Sequence, residues 1–371
     1  MDNQNFKRLL ILYVGYAWFL RVSGSIIPAY LHSTGTTINQ LFIANALQFI
    51  PMILVLVFVR VKSAKTAWRL SIIFGLLAVA SIINVISVVN VYLTYIFVGI
   101  SVALFFVYYN IGHFLYTPKN KTGLSGGVMY AVSPIISIFA PLLAGFLAVT
   151  NINYLWGVAV ISFLAAYILT YPVQDFQIKY HLSESLNTLA STRIPIFVEG
   201  VWEAVLYTII PILTLNFISG TAQYGQYLSY LAVVGAIAGL ATGKYTDIKG
   251  RRSYLLLPIC IILSALTLLL IPAQLSITLW IVITSLIQMI IPIFWNITTA
   301  LVVDQGDNLK VVFPGREIVL ALGRLVGLSL TAFLMYYHLI NIALVVLALT
   351  ICSLPLYLYY QSQITKRFTY L

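Results

Sequence analysis

The stretch Gly243-Lys244-Tyr245-Thr246-Asp247-Ile248-Lys249-Gly250-Arg251-Arg252 is a short basic segment bracketed by two glycines. It joins two long apolar runs in a chain that is 61% hydrophobic and only 8% charged, and it holds four cations within nine residues. Apolar runs of this length can cross a bilayer core of about 30 Å. The stretch therefore predicts a basic turn in water between two membrane crossings, and the rest of the chain is interpreted from it.

The composition of the whole chain supports a membrane protein. With 371 residues and a mean hydropathy of +1.00, the chain has too few polar residues to cover a water-soluble fold. The net charge of +11 does not indicate nucleic acid, because the cations lie in short loops between apolar stretches. We expect the lipid bilayer as surroundings and no nucleic-acid partner.

Twelve apolar stretches predict an all-α membrane protein with twelve transmembrane helices. Helices are expected because backbone amides in lipid must be satisfied within their own segment. The predicted crossings are Leu9–Tyr30, Gln40–Val59, Trp68–Ile86, Tyr92–Tyr116, Gly126–Ala148, Tyr154–Tyr171, Ile194–Phe217, Tyr224–Tyr245, Leu255–Ile271, Ile277–Val303, Val319–Tyr336 and Ile342–Tyr360.

The distribution of lysine and arginine predicts the orientation of these crossings. Eighteen of the twenty fall in the termini and loops on one side, and the loops on the other side carry none. The remaining two, Arg21 and Arg324, lie inside crossings. Because cytoplasmic loops are enriched in lysine and arginine, we expect a cytoplasmic (inner) membrane protein with both termini in the cytoplasm.

Internal repeats divide the chain into two halves. Ile26-Ile27-Pro28 recurs as Ile209-Ile210-Pro211, and Tyr108-Tyr109-Asn110-Ile111 recurs as Phe294-Trp295-Asn296-Ile297. The offsets, 209 − 26 = 183 and 296 − 110 = 186, are nearly equal. The repeats predict two pseudo-symmetric six-helix bundles, residues 1–172 and 193–371, joined by a polar cytoplasmic linker at 173–192.

The opening stretch also carries a family resemblance. Its pattern Gly-x-x-x-Asp-x-x-Gly-Arg-Arg resembles the cytoplasmic loop signature of the major facilitator superfamily of secondary transporters. The resemblance implies a conformational latch, in which Asp247 caps the fifth crossing and Arg251 or Arg252 pairs with Asp304. Gly243 and Gly250 permit the tight turns. The corresponding first-half loop, Arg60–Thr66, keeps the charge but lacks the glycines and the aspartate.

The fifth crossing carries a second, weaker likeness. Ala140-Pro141-Leu142-Leu143-Ala144-Gly145 resembles the glycine-proline motif of antiporters in the superfamily, with alanine at two of its glycine positions. Small residues there let the fifth and eighth crossings pack closely. This likeness favours export.

Ionisable residues at membrane depth are costly, so each is a candidate for function. Glu199 and Glu203 share one face of the seventh crossing, and the repeat places Arg21 at the depth of Glu203. A conformational change that makes or breaks a buried carboxylate–arginine pair can bind or release a proton. We therefore expect a proton-coupling site here; the alternative is a static ion pair that fixes helix packing.

A second set of candidates is neutral and lies on the fourth and tenth crossings, which the resemblance places around a central cavity. Aromatic walls with a few amide groups are typical of pockets for amphipathic ligands. The alternative is that the asparagines join helices and the aromatic rings pack against lipid. The set comprises Tyr108, Tyr109, Asn110, His113, Gln288, Trp295, Asn296 and Thr299.

Charged residues also open the eleventh crossing. Arg316 and Glu317 are expected at the cytoplasmic surface, and the deeper Arg324 is expected to form a salt bridge between the two halves. We assign all three to the conformational latch rather than to substrate contact.

These features predict a monomeric secondary transporter that exports a small organic solute by proton-coupled antiport. The alternative is an importer or facilitator of a polar solute such as a sugar, nucleoside or organic acid, with Arg21 binding an anionic group. An enzyme is not expected, because no catalytic pattern, phosphate-binding loop or metal-ligand spacing occurs in the chain. Cys260 and Cys352 are expected to be inert thiols, and no cofactor is expected.

Overall fold

The computed structural model of the protein describes residues 4–59, 61–83, 87–116, 122–246, 252–303 and 308–365. The side chains of 122–133, 240–246, 252–254, 300, 303 and 364–365 lie outside this description. Within the described part the chain is helical, and nine helical segments are long and apolar enough to cross a membrane. Two shorter apolar helices, Pro134–Thr150 and Ile152–Ile168, accompany them.

The first half of the chain forms eight α-helices and one π-helical turn. The predicted first crossing is divided at Ser25 and Ile26, where α2 restarts with proline in its first turn. The second crossing ends in the π-helical turn Val55–Val59. The helices are α1 (Gln4–Gly24), α2 (Ile27–Ser33), α3 (Ile38–Leu47), α4 (Phe49–Leu54), α5 (Ala64–Ile83), α6 (Val88–Tyr116), α7 (Thr122–Thr150) and α8 (Ile152–Ile168).

After a short helix within the predicted linker, the second half repeats the divided crossing. The predicted seventh crossing comprises α10, the π-helical turn Val205–Ile209, α11, which also has proline in its first turn, and the 3₁₀ turn Thr214–Asn216. The helices are α9 (Leu182–Thr188), α10 (Arg193–Trp202), α11 (Ile210–Leu213), α12 (Thr221–Thr246), α13 (Arg252–Ala273), α14 (Ile277–Val303), α15 (Leu309–Tyr336) and α16 (Ile340–Thr365).

The eleventh predicted crossing differs most from the structure. It was expected to begin at Val319, but α15 begins at Leu309 and includes Lys310, Arg316 and Glu317. In the sequence these charged residues are typical of a loop. In the structure α9 packs against the first turns of α15 and covers them. The count of twelve crossings, the two six-helix bundles and the orientation stay predictions.

The segment 173–192, predicted as a linker between the halves, is packed against neighbouring helices. Besides α9, it contains a β-bridge between Gln177 and Ser63, next to the start of α5. The carboxylate of Asp175 accepts hydrogen bonds from the Ser63 hydroxyl (2.8 Å) and from the Lys65 amide (2.9 Å). Alternate residues Phe176 and Ile178 are buried. The linker is therefore attached to the first half along this strand-like segment.

The two halves of the chain contact each other along two seams. In one, α7 packs against α12; in the other, α15 packs against α3 and α4. The first seam depends on small residues. A Cβ atom at Gly225 would lie 2.3 Å from the Pro141 carbonyl oxygen, and one at Gly145 would lie 2.8 Å from the Thr221 carbonyl oxygen. The predicted close packing of the fifth and eighth crossings is thus present between α7 and α12.

Replacing Gly225 with alanine is expected to destabilise the protein by about 1–3 kcal/mol, because the new methyl group meets a backbone oxygen that cannot move alone. Gly157→Ala in α8 is the matched control, since no atom lies within 4 Å of the added methyl group. The control should be neutral or more stable by up to about 1 kcal/mol. Thermal unfolding in detergent measures both changes, and equal melting temperatures for the two variants would contradict the tight seam.

Candidate functional site

The candidate site begins on α10, where two glutamates lie four residues apart. Both Glu199 and Glu203 are buried, each with 1% of its surface exposed. Regular α-helix ends at Trp202, and the π-helical turn Val205–Ile209 follows. Single π-helical turns within α-helices often occur at functional sites. This one places Tyr207, which is 37% exposed, one turn beyond Glu203.

Glu203 has two direct partners in the second half of the chain. Arg324 Nε on α15 lies 2.6 Å from Glu203 Oε2, and Trp295 Nε1 on α14 donates to Glu203 Oε1 at 2.8 Å. The sequence had suggested Arg21 as the partner of Glu203. It had also placed Arg324 in a salt bridge between the halves, whereas Arg324 pairs with a carboxylate of its own half.

Glu199 is held less closely. The hydroxyl of Thr298 donates to Glu199 Oε1 at 3.2 Å, and Arg316 Nη2 lies 3.9 Å from the same oxygen. Arg316 is shared, because its Nη1 lies 2.8 Å from Glu317 Oε1. The expectation that Arg316 and Glu317 lie at the surface is therefore wrong. Glu317 is only 5% exposed, since α9 covers this end of α15.

We refer to Glu199, Glu203, Glu317, Arg316 and Arg324 as the acidic cluster. Counted over the described residues, it contains three carboxylates and two guanidinium groups, so it carries one excess negative charge when every group is ionised. The two arginines are the cations that act electrostatically on Glu199. A buried charge without a partner is strongly unfavourable in a membrane protein. The cluster is therefore suited to bind one positive charge.

Three glycines bring α10 and α15 close enough to form the cluster. A Cβ atom at Gly200, Gly323 or Gly327 would lie 2.5, 2.3 or 2.2 Å from a backbone oxygen of the facing helix. Gly323 and Gly327 form a Gly-x-x-x-Gly pattern, which permits close helix contact in membranes. This spacing is visible in the sequence.

Tyr207 connects the acidic cluster to the first half of the chain. The guanidinium of Arg324 lies 4.9 Å from the centre of the Tyr207 ring and 5.8 Å from that of Phe49 on α4. Cations within about 6 Å of a ring centre are attracted to its face. The side chain of Asn45 on α3 donates to the Tyr207 carbonyl oxygen at 2.6 Å. The surroundings of Arg324 therefore include residues from both halves of the chain.

Arg21 on α1 differs from every member of the cluster. It is exposed, and its side chain forms no ion pair or hydrogen bond in the part of the chain that the structure describes. It is one of the charged residues that act electrostatically on Tyr207. The sequence has no aspartate or glutamate between Asp2 and Asp175. Arg21 therefore has no acidic partner in the helices of its own half.

The neutral candidates on α6 are packed against neighbouring helices. The hydroxyl of Tyr108 donates to the Val61 carbonyl oxygen. The Tyr109 ring stacks on Tyr13 with centres 4.4 Å apart, and its hydroxyl lies 3.4 Å from Nδ1 of the buried His113. Asn110 is 9% exposed, and no described residue forms a hydrogen bond with its Oδ1.

The aromatic stacking also sets the depth of Asn110. Tyr13 stacks on Tyr109 and Tyr16 stacks on Phe105, so α1 and α6 run antiparallel. Arg21 therefore lies about ten residues along α1 from the level of Asn110, roughly 15 Å at the rise of an α-helix. The structure does not bring these two candidates together.

Of the candidates on α14, one contacts the acidic cluster and another packs against a neighbouring helix. Trp295 belongs to the site through its hydrogen bond to Glu203. Gln288 packs against α12, where a Cβ atom at Gly235 would lie 2.8 Å from its Nε2. Asn296 and Thr299 are half-buried.

Most of the predicted latch cannot be placed. Asp247, Gly250, Arg251 and Asp304 lie outside the described residues. Gly243 falls within α12 and Arg252 begins α13, but their side chains are not described. The roles that the resemblance gives them stay predictions.

A groove of about 460 Å³ lies along the second seam, between α3 and α4 on one side and α15 on the other. Its lining is mainly apolar, with Ile43, Leu47 and Phe333 among the residues, and it contains no charged side chain. The groove lacks the acidic cluster and Arg21, so we do not place the solute there.

Comparisons with solved structures identify the fold. Over 97% of this chain and 100% of the other, the structure is similar to a bacterial homologue of the iron transporter ferroportin in its outward-facing state, with a TM-score of 0.71 and 12% sequence identity. The inward-facing state of a bacterial ferroportin homologue gives a TM-score of 0.65 at 11% identity, over 96% of this chain and 99% of that one. A POT family transporter in complex with a thioalcohol-conjugated peptide gives 0.71 at 10% identity, over 97% and 99%.

No protein-family model and no curated protein sequence matches the chain. At these identities the structural likeness shows the fold alone. The chain therefore has the helical fold of these membrane transporters.

Proposed function

We propose that the chain is a secondary transporter of the major facilitator superfamily that moves a small organic solute by alternating access and is coupled to protons. The observation that carries the coupling is the unequal count of charges in the acidic cluster. Three buried carboxylates share two guanidinium groups, and binding one proton makes the cluster neutral.

The distances favour Glu199 as the residue that takes the proton. Glu203 has two direct partners at 2.6 and 2.8 Å. The nearest cation to Glu199, Arg316, lies 3.9 Å away and pairs more closely with Glu317. The sequence alone favoured Glu203, because Glu199 lies closer to the predicted cytoplasmic end of the crossing.

Coupling requires that the proton site responds to movement between the halves. Arg324 contacts Phe49 of the first half through its guanidinium, and Asn45 holds the Tyr207 carbonyl. A change in the contacts between α15 and α4 alters how closely Arg324 pairs with Glu203 and with the other carboxylates of the acidic cluster. The affinity of Glu199 for a proton then differs between the two states, as coupled transport requires.

Two directions of transport are candidates. The close packing of α7 and α12 supports export by proton antiport, because it is the feature in which the chain resembles antiporters. Arg21 supports the second candidate, proton-coupled uptake of a solute with a negative charge. The acidic cluster is compatible with either direction of transport.

The proton site is tested without knowledge of the solute by infrared difference spectroscopy of the purified protein during a pH change. We expect the carbonyl band of a protonated carboxylic acid in the wild type and in Glu184→Gln, since Glu184 is exposed on α9. Glu199→Gln should lose this band. An unchanged band in Glu199→Gln would show that the proton is held elsewhere.

Transport is tested with a solute found by thermal-shift screening, because a ligand stabilises the state that it binds. In proteoliposomes, Glu199→Gln is expected to reduce transport driven by a pH gradient about tenfold or more, while exchange of solute without a gradient continues. Gradient-driven transport at the wild-type rate would contradict the proposed coupling.

A further inference from the structure

Two cations at the start of α5 converge on the residues that follow α8. The ammonium group of Lys65 donates to the Tyr171 carbonyl oxygen at 2.9 Å, and Arg69 Nε donates to the Thr170 hydroxyl oxygen at 3.2 Å. The Arg69 guanidinium also lies 4.6 Å from the centre of the Tyr171 ring, within the range of a cation–π contact. We refer to Lys65, Arg69, Thr170 and Tyr171 as the basic site.

No ion pair neutralises the basic site in the part of the chain that the structure describes. The ion pairs among the described residues all lie in the second half of the chain. The two carboxylate oxygens of Asp175, on the predicted linker, instead accept hydrogen bonds from the Ser63 hydroxyl and the Lys65 backbone amide. Two like charges four residues apart on a helix repel each other. An anion beside both cations is therefore favourable.

Both cations retain hydrogen-bond donors for such an anion. An ammonium group has three N–H donors and a guanidinium group has five. The described hydrogen bonds use one donor of Lys65 and one of Arg69. Both residues are half-buried, so the helix contacts hold them in place while part of each stays accessible. A guanidinium group is well suited to phosphate oxygens, because its planar shape presents paired donors.

Exposed apolar side chains continue from the basic site along the membrane-spanning part of both helices. On α5, Ile73 and Leu77 lie one and two turns beyond the arginine and are 38% and 41% exposed. On α8, Ile168 and Leu164 lie one and two turns before the tyrosine and are 63% and 52% exposed. Because α5 packs against α8, these side chains form one apolar surface that begins at the two cations. A ligand that fits both parts has an anionic head and apolar chains.

We infer that the basic site binds the phosphodiester group of an anionic membrane phospholipid, whose acyl chains lie along the apolar surface of α5 and α8. The site is at the ends of both helices, on the side predicted to be cytoplasmic. Basic pockets between transmembrane helices on that side are suited to anionic headgroups. Tyr171, which is 59% exposed, is a residue type enriched at the boundary between membrane and water. The inference does not depend on the proposed proton coupling.

The test measures the melting temperature of the purified full chain in detergent with added dioleoyl phosphatidylglycerol or dioleoyl phosphatidylcholine. The two lipids have the same acyl chains, and only the first has a net negative headgroup. We expect phosphatidylglycerol to raise the melting temperature more than phosphatidylcholine does, and this difference to shrink at high ionic strength, because salt screens surface charges. Glycerol phosphate, which has the phosphate but no acyl chains, should give no rise at the same concentration.

Variants locate the bound lipid. Lys65→Gln/Arg69→Gln is expected to bind phosphatidylglycerol about 25-fold more weakly, at roughly fivefold for each cation, as judged from the lipid concentration that gives half of the stabilisation. Lys179→Gln, at an exposed linker position, removes one charge on the same predicted side and should respond as the wild type does.

A further variant adds a counter-charge instead of removing a cation. Thr66→Glu places a carboxylate in the first turn of α5, three residues before Arg69. A carboxylate in this turn is favourable for the helix and can pair with the arginine. The variant should therefore fold and lose the preference for phosphatidylglycerol, which keeps the inference testable if Lys65→Gln/Arg69→Gln does not fold.

Each contrary result is specific. Equal stabilisation by the two lipids would overturn the inference, and so would an undiminished response to phosphatidylglycerol in Lys65→Gln/Arg69→Gln or in Thr66→Glu. A rise with glycerol phosphate as large as that with phosphatidylglycerol would reject a lipid in favour of a soluble phosphate compound. If Lys179→Gln loses the response as fully as the double variant does, the lipid responds to the net charge of this side of the protein, and the basic site is rejected.

Discussion

Arg324→Ala is expected to reduce the free energy of unfolding by about 3–5 kcal/mol. The substitution removes the close partner of Glu203, whose carboxylate is 1% exposed and would remain as an uncompensated buried charge. Removing one member of a buried pair is costly for this reason, more than for the loss of the attraction itself. Loss of the guanidinium also removes the contacts with Tyr207 and Phe49.

The chain offers its own reporter for this measurement. Cys260 is buried and Cys352 is partly accessible, so a Cys352→Ala background leaves one thiol that a fluorescent reagent reaches only on unfolding. The melting temperature of Arg324→Ala is then compared with that of Glu203→Gln/Arg324→Met. The double variant leaves no buried charge at the pair and should recover most of the loss. Equal destabilisation of the single and double variants would show that packing, rather than charge, determines the effect.

The pairing of Arg324 also shows how far the sequence could predict the site. Counting lysine and arginine by side identified Arg21 and Arg324 as the two cations inside crossings, and spacing placed Glu199 and Glu203 on one helix face. The choice of partner depends on helix rotation. A repeat offset fixes depth to about one residue, but one residue turns a helix by about 100°. Depth alone therefore favoured Arg21, whereas the contact between α10 and α15 selects Arg324.

The positions of Arg316 and Glu317 were beyond sequence reasoning for a different reason. Charged residues before an apolar run normally mark the membrane surface, and that pattern predicted Val319 as the start of the crossing. The structure buries Glu317 because α9, part of a segment that reads as a polar linker, covers the first turns of α15. Local sequence patterns do not reveal that a segment distant in sequence covers these residues. The apolar runs, by contrast, are visible in the local sequence and indicated the helical fold. The repeated Ile-Ile-Pro segments indicated that the chain has two related halves.

Gly323→Val is expected to have the second large effect, because it acts on the contact that forms the cluster. A Cβ atom at position 323 would lie 2.3 Å from the Phe197 carbonyl oxygen and 3.0 Å from Gly200 Cα. Both obstacles are backbone atoms, so α10 and α15 must separate. We expect a loss of several kcal/mol, above the ~1–3 kcal/mol of ordinary overpacking, since separation also weakens the ion pair beside it.

The matched control for Gly323→Val is Gly157→Val in α8, where no atom lies within 4 Å of the added Cβ and valine is no worse a helix former than the glycine that it replaces. Combining Gly323→Val with Arg324→Ala distinguishes clash from lost pairing. If separation of the helices already disengages Arg324 from Glu203, the double variant should be more stable than the sum of the two losses predicts. Strict additivity in thiol-labelling melts would mean that the ion pair survives the substitution, and that the glycines do not hold the acidic cluster together.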